Sequence, residues 1–112
     1  TFAHEAFQEV VPPMEKMTER GISMLHDSLT AFVEQDPDKA REVAARDEEI
    51  DAMHRALYQK IVDLMKHQPE LIEDATRLLF LNRFLERLGD HVTNVCEWII
   101  YAKTSVHVEL NE

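Results

Sequence analysis

The stretch that decides the fold is residues 69–103, which read PELIEDATRLLFLNRFLERLGDHVTNVCEWIIYAK. Its aliphatic side chains recur at spacings of three, four and seven residues, which is the period of an amphipathic α-helix. The proline fits a first helical turn, and the acids after it suit the positive end of the helix dipole. The stretch therefore predicts one long helix, whose apolar side is made of Leu71, Leu78, Leu81, Leu85, Leu88, Val92, Val95 and Ile99.

Two earlier segments share this period. The first runs over about 13–35, and its apolar side is Met14, Met17, Leu25, Leu29 and Phe32. The second runs over about 37–67, and its apolar side is Val43, Ile50, Leu57, Ile61 and Leu64. Asp36 can cap this helix, and Pro37 fits its first position. With the third helix over 69–103, the sequence predicts an all-α fold, an antiparallel three-helix bundle.

Length and composition narrow the class of protein. The chain has 112 residues, which suits one domain over 1–112 with a leading segment at 1–12. A net charge of −10 argues against nucleic-acid binding, which needs clustered Lys and Arg. The apolar runs are far shorter than the roughly 20 residues of a membrane span. One cysteine favours a reducing compartment, and no signal-peptide pattern is present, so we expect a cytoplasmic protein.

The polar stripes of the second and third helices carry the candidate site. Asp47 and Asp51 form one carboxylate pair four residues apart, and Glu86 and Asp90 form another. Like charges at this spacing destabilise a helix by a few tenths of a kcal/mol, a penalty that a bound cation would reverse. Because consecutive helices in a short-linked bundle are neighbours, the two pairs could form one four-carboxylate patch. The further candidate ligands on the same stripes are His54, Asn94 and Glu97.

The identity of a cation cannot be read from spacing alone, since ordinary solvated acids give the same pattern. Oxygen-rich patches suit hard cations, and an added imidazole shifts the choice toward iron, zinc or nickel. A ferritin-like di-iron protein would need four helices and Glu-x-x-His motifs that project inward. Residues 51–54 are the one near match to that motif, and a metal-free structural adaptor remains open beside the metal-binding reading.

Two stretches resemble the signature motifs of the PhoU family, namely residues 82–101, NRFLERLGDHVTNVCEWIIY, and residues 46–51, RDEEID. The resemblance implies an all-helical protein of two similar three-helix repeats, each with two [E/D]-x-x-x-D motifs that in some members bind iron or zinc. Carried onto this chain, the first motif is Asp47 and Asp51, and the second is Glu86 and Asp90. The chain has the length of one repeat, and residues 101–111 are similar to the family's C-terminal end, which favours the second repeat.

The resemblance also implies a function. Members of the family regulate phosphate uptake and repress phosphate-starvation signalling. They act on the ATPase of the phosphate transporter and on a sensor histidine kinase, as adaptors and not as enzymes. The sequence also leaves open the formation of a homo-oligomer by this chain.

Overall fold

The computed structural model describes the backbone of residues 5–111 and the side chains of residues 5–104. Its four helices are α1 (Val11–Glu34), α2 (Pro37–Ala45), α3 (Asp47–His67) and α4 (Ile72–Asn111), with short 3-10 turns at Phe7–Glu9 and Pro69–Leu71. Because α2 and α3 follow one another as a single broken helix, the prediction of an all-α, antiparallel three-helix bundle is confirmed. The described residues contain no β-strand. None of their helices combines the length and the apolarity that crossing a membrane requires.

The helix bounds differ from the predicted ones at the start of α1 and at both ends of α4. Helix α1 takes in Val11 and Pro12, which the sequence assigned to the leading segment 1–12, and residues 1–4 of that segment lie outside the described residues. Helix α4 begins after the turn at Pro69–Leu71 and runs to Asn111, beyond the predicted end at 103. Residues 104–111 contain neither glycine nor proline, so nothing local stops the helix there.

The predicted restart between the first two helices is present. Gln35 ends α1 in the left-handed conformation, at φ 53°, and its N–H donates to the carbonyls of Ala31 and Phe32. The carboxylate of Asp36 then accepts hydrogen bonds from the N–H groups of Asp38 and Lys39, each at 3.1 Å. These bonds satisfy amides that the first turn of α2 would otherwise leave unpaired.

The predicted second helix, 37–67, is interrupted at Arg46. There the N–H of Arg46 donates to the carbonyl of Val43 at 3.0 Å, and the N–H of Glu49 donates to the carbonyl of Arg46 at 3.1 Å. Each bond spans three residues, as in a 3-10 turn, where the bonds of an α-helix span four. The guanidinium of Arg46 donates to Asp27 of α1 at 2.6 Å and to Glu42 of α2 at 2.9 Å. Periodicity alone could not predict this break, because Arg46 keeps helical backbone angles and neither glycine nor proline marks it.

The core differs from prediction on α1. Leu25, Leu29 and Phe32 were predicted to face the core, yet they are 40, 56 and 50% exposed. In their place α1 buries Met24, Ser28 and Ala31, one register position earlier. Two of these are small, so α1 can approach its neighbours closely. Helix α4 departs in the same way at Leu81 and Val95. Of the core residues predicted on α3, Leu64 is only half-buried, and the others are buried: Ile50, Leu57 and Ile61.

Candidate metal centre

Three of the four predicted carboxylates come together between α3 and α4. Asp47 is the first residue of α3, directly after the tightened turn, and Asp51 follows one helical turn later on the same side. Asp90 faces them from α4. One ligand oxygen of each lies within 4.8 Å of the other two, and we call these three residues the acidic cluster. Asp47 and Asp51 are half-buried and Asp90 is exposed, so the cluster is open to solvent on one side.

Asp47 is half-buried, and one of its two carboxylate oxygens is fully shielded. Its Oδ1 atom is shielded from solvent and has no hydrogen-bond partner. Burial, and after it the charges of Asp51 and Asp90, together raise the pKa of the Asp47 carboxyl from 3.8 to about 6. A carboxylate oxygen that is buried, unpaired and close to two other acids is unstable as an anion unless a positive charge lies beside it.

Helix α4 has no side chain at the point where Asp47 meets it. Gly89 is buried there, and a Cβ atom built on it would lie 2.5 Å from the Oδ1 atom of Asp47. The same Cβ would lie 3.4 Å from Cγ2 of Ile50, which is an ordinary contact. The space that Asp47 occupies against α4 therefore exists because residue 89 is glycine.

The fourth predicted carboxylate, Glu86, lies apart from the acidic cluster. Its Oε2 atom is 3.3 Å from Nε2 of His54, so Glu86 and His54 form a contact between α4 and α3. Asn82, one turn earlier on α4, is fully buried and donates from Nδ2 to the backbone carbonyl of His54 at 3.1 Å. The Nδ1 atom of His54 is buried without a hydrogen-bond partner. This polar contact fixes α3 against α4 one turn away from the acidic cluster.

The remaining candidate ligands lie on the outer surface of α4. Asn94 and Glu97 are both exposed, and Glu97 is not among the residues that group with Asp47. Sequence reasoning missed Asn82 as a buried contact of His54. Its position between Leu78 and Leu85 on the apolar stripe was the available signal, since a polar residue in a core register needs a partner.

The donor set of the acidic cluster fits a cation. Three carboxylates supply only oxygen ligands, which suit hard cations. The buried, unpaired oxygen of Asp47 also fits a centre that holds a positive charge between the two helices. The nitrogen donors that zinc usually adds are missing from the three grouped residues, because the Nε2 atom of His54 faces Glu86.

Comparison with known proteins shows which family this chain resembles. The family model for the PhoU domain matches residues 14–99. A relative from Clostridium acetobutylicum, named phosphate-specific transport system accessory protein PhoU homolog, is 36% identical over 96% of this chain and 49% of its own length. A relative of the same name from Streptococcus pneumoniae serotype 4 is 37% identical over 92% of this chain and 49% of its own length. The chain thus spans about half the length of these curated relatives. No solved structure matches it significantly.

Proposed function

The chain belongs to the PhoU family, and from that premise we propose that it is one repeat of a regulator of phosphate uptake, acting in the cytoplasm as a metal-binding adaptor. The relatives are named as accessory proteins of transport, and the family is regulatory and not enzymatic. Membership in the PhoU family also argues against the ferritin-like di-iron alternative. The observation that carries the metal part of the proposal is the acidic cluster, together with the buried, unpaired Oδ1 atom of Asp47.

The cation in this proposal is iron, because the family resemblance implies iron or zinc and the three grouped residues offer no nitrogen donor of the kind that zinc usually adds. Asp47, Asp51 and Asp90 would hold it through carboxylate oxygens, and its charge would offset the repulsion between them. Glu86 and His54 would support the centre by fixing the two helices, and Asn94 and Glu97 remain candidate outer contacts. The cation would serve as a structural charge that fastens α3 to α4, and no bond-breaking step is assigned to it.

Thermal unfolding of the 112-residue chain tests the metal part. With ferrous iron added anaerobically at 100 times its dissociation constant, we expect stabilisation of about 2.7 kcal/mol, which a chelator removes. The double change Asp51→Asn with Asp90→Asn should abolish this stabilisation and slightly raise the metal-free melting temperature. The matched control is Glu15→Gln with Glu19→Gln, an exposed acid pair at the same spacing on α1, which should leave the iron effect intact.

The outcomes of this experiment separate two readings. If neither iron nor chelator moves the melting temperature of the unmutated chain, the metal-free adaptor is the correct reading for this repeat. If zinc stabilises the chain more than iron does, the proposed choice of metal is wrong.

The proposed partners are the ATPase of the phosphate transporter and a sensor histidine kinase. Deleting the encoding gene should raise phosphate uptake and derepress phosphate-responsive transcription while phosphate is plentiful. Unchanged uptake and transcription in the deletion strain would refute the regulatory proposal. A gene copy that carries Asp51→Asn and Asp90→Asn, expressed at the normal level, would then show whether regulation depends on the acidic cluster.

A further inference from the structure

We infer that Gly89 is the positioning residue of the acidic cluster, because the absence of its side chain lets Asp47 lie against α4 beside Asp90. The placement of Asp47 by Gly89 is argued from geometry, and its effect on iron binding rests on the proposed metal function. Gly89 is one of two glycines in the chain. It is buried in the interior of α4, where glycine is less favourable than alanine by about 1 kcal/mol.

The nearest neighbour of a side chain at position 89 would be Asp47 itself. A Cβ atom there would lie 2.5 Å from Oδ1 of Asp47, closer than real Cβ atoms approach other heavy atoms, so one of the two must move. Ile50 would still be in ordinary contact at 3.4 Å, so the apolar packing between α3 and α4 need not change. The flexible end of Asp47 would therefore move, and the helices would stay in place.

The consequence for the acidic cluster follows from its small size. Its three ligand oxygens lie within 4.8 Å of one another, and the Oδ1 atom of Asp47 is buried against Gly89. Swinging the Asp47 carboxylate away from Gly89 separates it from Asp90. The same three acids would be present, but their oxygens would no longer lie close enough together to bind one cation.

The chain provides a matched control for this substitution. Gly21 is also buried within a helix, α1, and a Cβ atom there would meet only Cδ2 of Leu88, at 3.5 Å. Alanine should therefore fit at position 21 and raise helix stability without touching the acidic cluster. Each of the two substitutions, Gly21→Ala and Gly89→Ala, adds one methyl group to a buried helical glycine, and they differ in what that methyl group meets.

Iron binding by the unmutated and substituted chains tests the inference. For Gly89→Ala we expect affinity for ferrous iron, measured by titration calorimetry, to fall by at least about tenfold, the size of effect typical of residues that orient a ligand. Its metal-free melting temperature should stay level or rise, because alanine favours the helix. Gly21→Ala should raise the metal-free melting temperature by roughly 4 °C and leave iron affinity unchanged. Equal iron affinity in Gly89→Ala and the unmutated chain would overturn the inference.

A second measurement needs no metal. The effect of Gly89→Ala on the metal-free melting temperature is compared in the unmutated chain and in an Asp47→Ala background, where the conflicting carboxylate is gone. We expect the two effects to differ by at least about 2 °C, since contacting residues are not additive. If Gly89→Ala alone prevents folding, the Asp47→Ala background should restore it. Strict additivity, or a double variant that still fails to fold, would show that position 89 does not act through Asp47.

The two measurements keep the inference separate from the proposed function. If the unmutated chain binds no iron, the metal proposal is wrong, and the coupling between positions 47 and 89 still decides whether Gly89 positions Asp47. If the chain binds iron and the positions are additive, the metal proposal stands and the role of Gly89 is wrong.

Discussion

The raised pKa of Asp47 predicts an unusual dependence of stability on pH in the metal-free protein. The pKa of this carboxyl is about 6 in the folded chain and 3.8 in the unfolded chain. Between these two pH values the folded state holds a proton that the unfolded state has released. The contribution of Asp47 to stability is therefore fully present below pH 3.8 and is lost as the pH rises through 6.

The size of this loss follows from the two pKa values. A difference of about 2 units corresponds to about 3 kcal/mol, as an upper figure because Asp47 is half-buried and water screens part of the interaction. Hydrogen bonding to Arg46 lowers the pKa of Asp27, so its contribution has the opposite sign and is lost toward acid pH. Comparing two variants that both keep Asp27 removes that contribution from the measured difference.

The assay is urea unfolding followed by circular dichroism at 222 nm in a chelator, between pH 4 and 7. The free energy of unfolding is measured for the unmutated chain and for Asp47→Asn, which cannot titrate at position 47. We expect the stability of Asp47→Asn relative to the unmutated chain to increase by up to about 3 kcal/mol from pH 4 to pH 7. Asp51→Asn should give the unmutated trend with a smaller slope, because the Asp51 charge is one cause of the raised pKa.

The refuting result is a flat difference between Asp47→Asn and the unmutated chain across this pH range, or one of opposite sign. Either result would mean that Asp47 is solvated and free of its acidic neighbours.

Two further changes test the helix cap and the core. Replacing Asp36 with alanine should lower the free energy of unfolding by about 1 kcal/mol, since two amides of α2 lose their acceptor, while Asp36→Asn should cost less; equal losses in urea melts would contradict the capping role. Ile61→Ala, at a fully buried position of α3, should cost about 2–5 kcal/mol, whereas Leu29→Ala, at a residue 56% exposed, should cost under about 1 kcal/mol. Similar losses at the two positions would show that the core lies elsewhere.

The fold could be predicted from sequence because its determinants are local. The caps at Asp36 and Pro37 and the period of Ile50, Leu57 and Ile61 each depend on residues within one helix. The orientation of α1 was not predictable in this way. Leu29 and Met24 belong to two apolar stripes of the same helix, and periodicity does not tell which one faces the core. That choice depends on how closely Ala31 and its small neighbours let the helices approach.

The candidate site, too, was predictable within each helix and not between helices. Spacing placed Asp47 with Asp51 on one helix and Glu86 with Asp90 on the other, because these relations are set by helical geometry. The grouping across helices depends on their relative register, which no single-helix pattern encodes. In the structure that register places Glu86 opposite His54 and leaves Asp90 to join the acidic cluster. The close approach of the two helices at Gly89 also depends on that register, and the structure shows that Asp47 fills the space there.

The burial of Cys96 gives the chain a built-in reporter of its own opening. It is the one cysteine in the sequence, its side chain is fully buried on α4, and burial raises the pKa of its thiol. A thiol reagent can therefore modify the folded chain only during moments when α4 separates from the other helices. The rate of thiol modification under native conditions therefore reports how often the bundle opens at Cys96, and no label has to be introduced. Measured with and without iron, it would time how long a cation between α3 and α4 keeps the bundle closed.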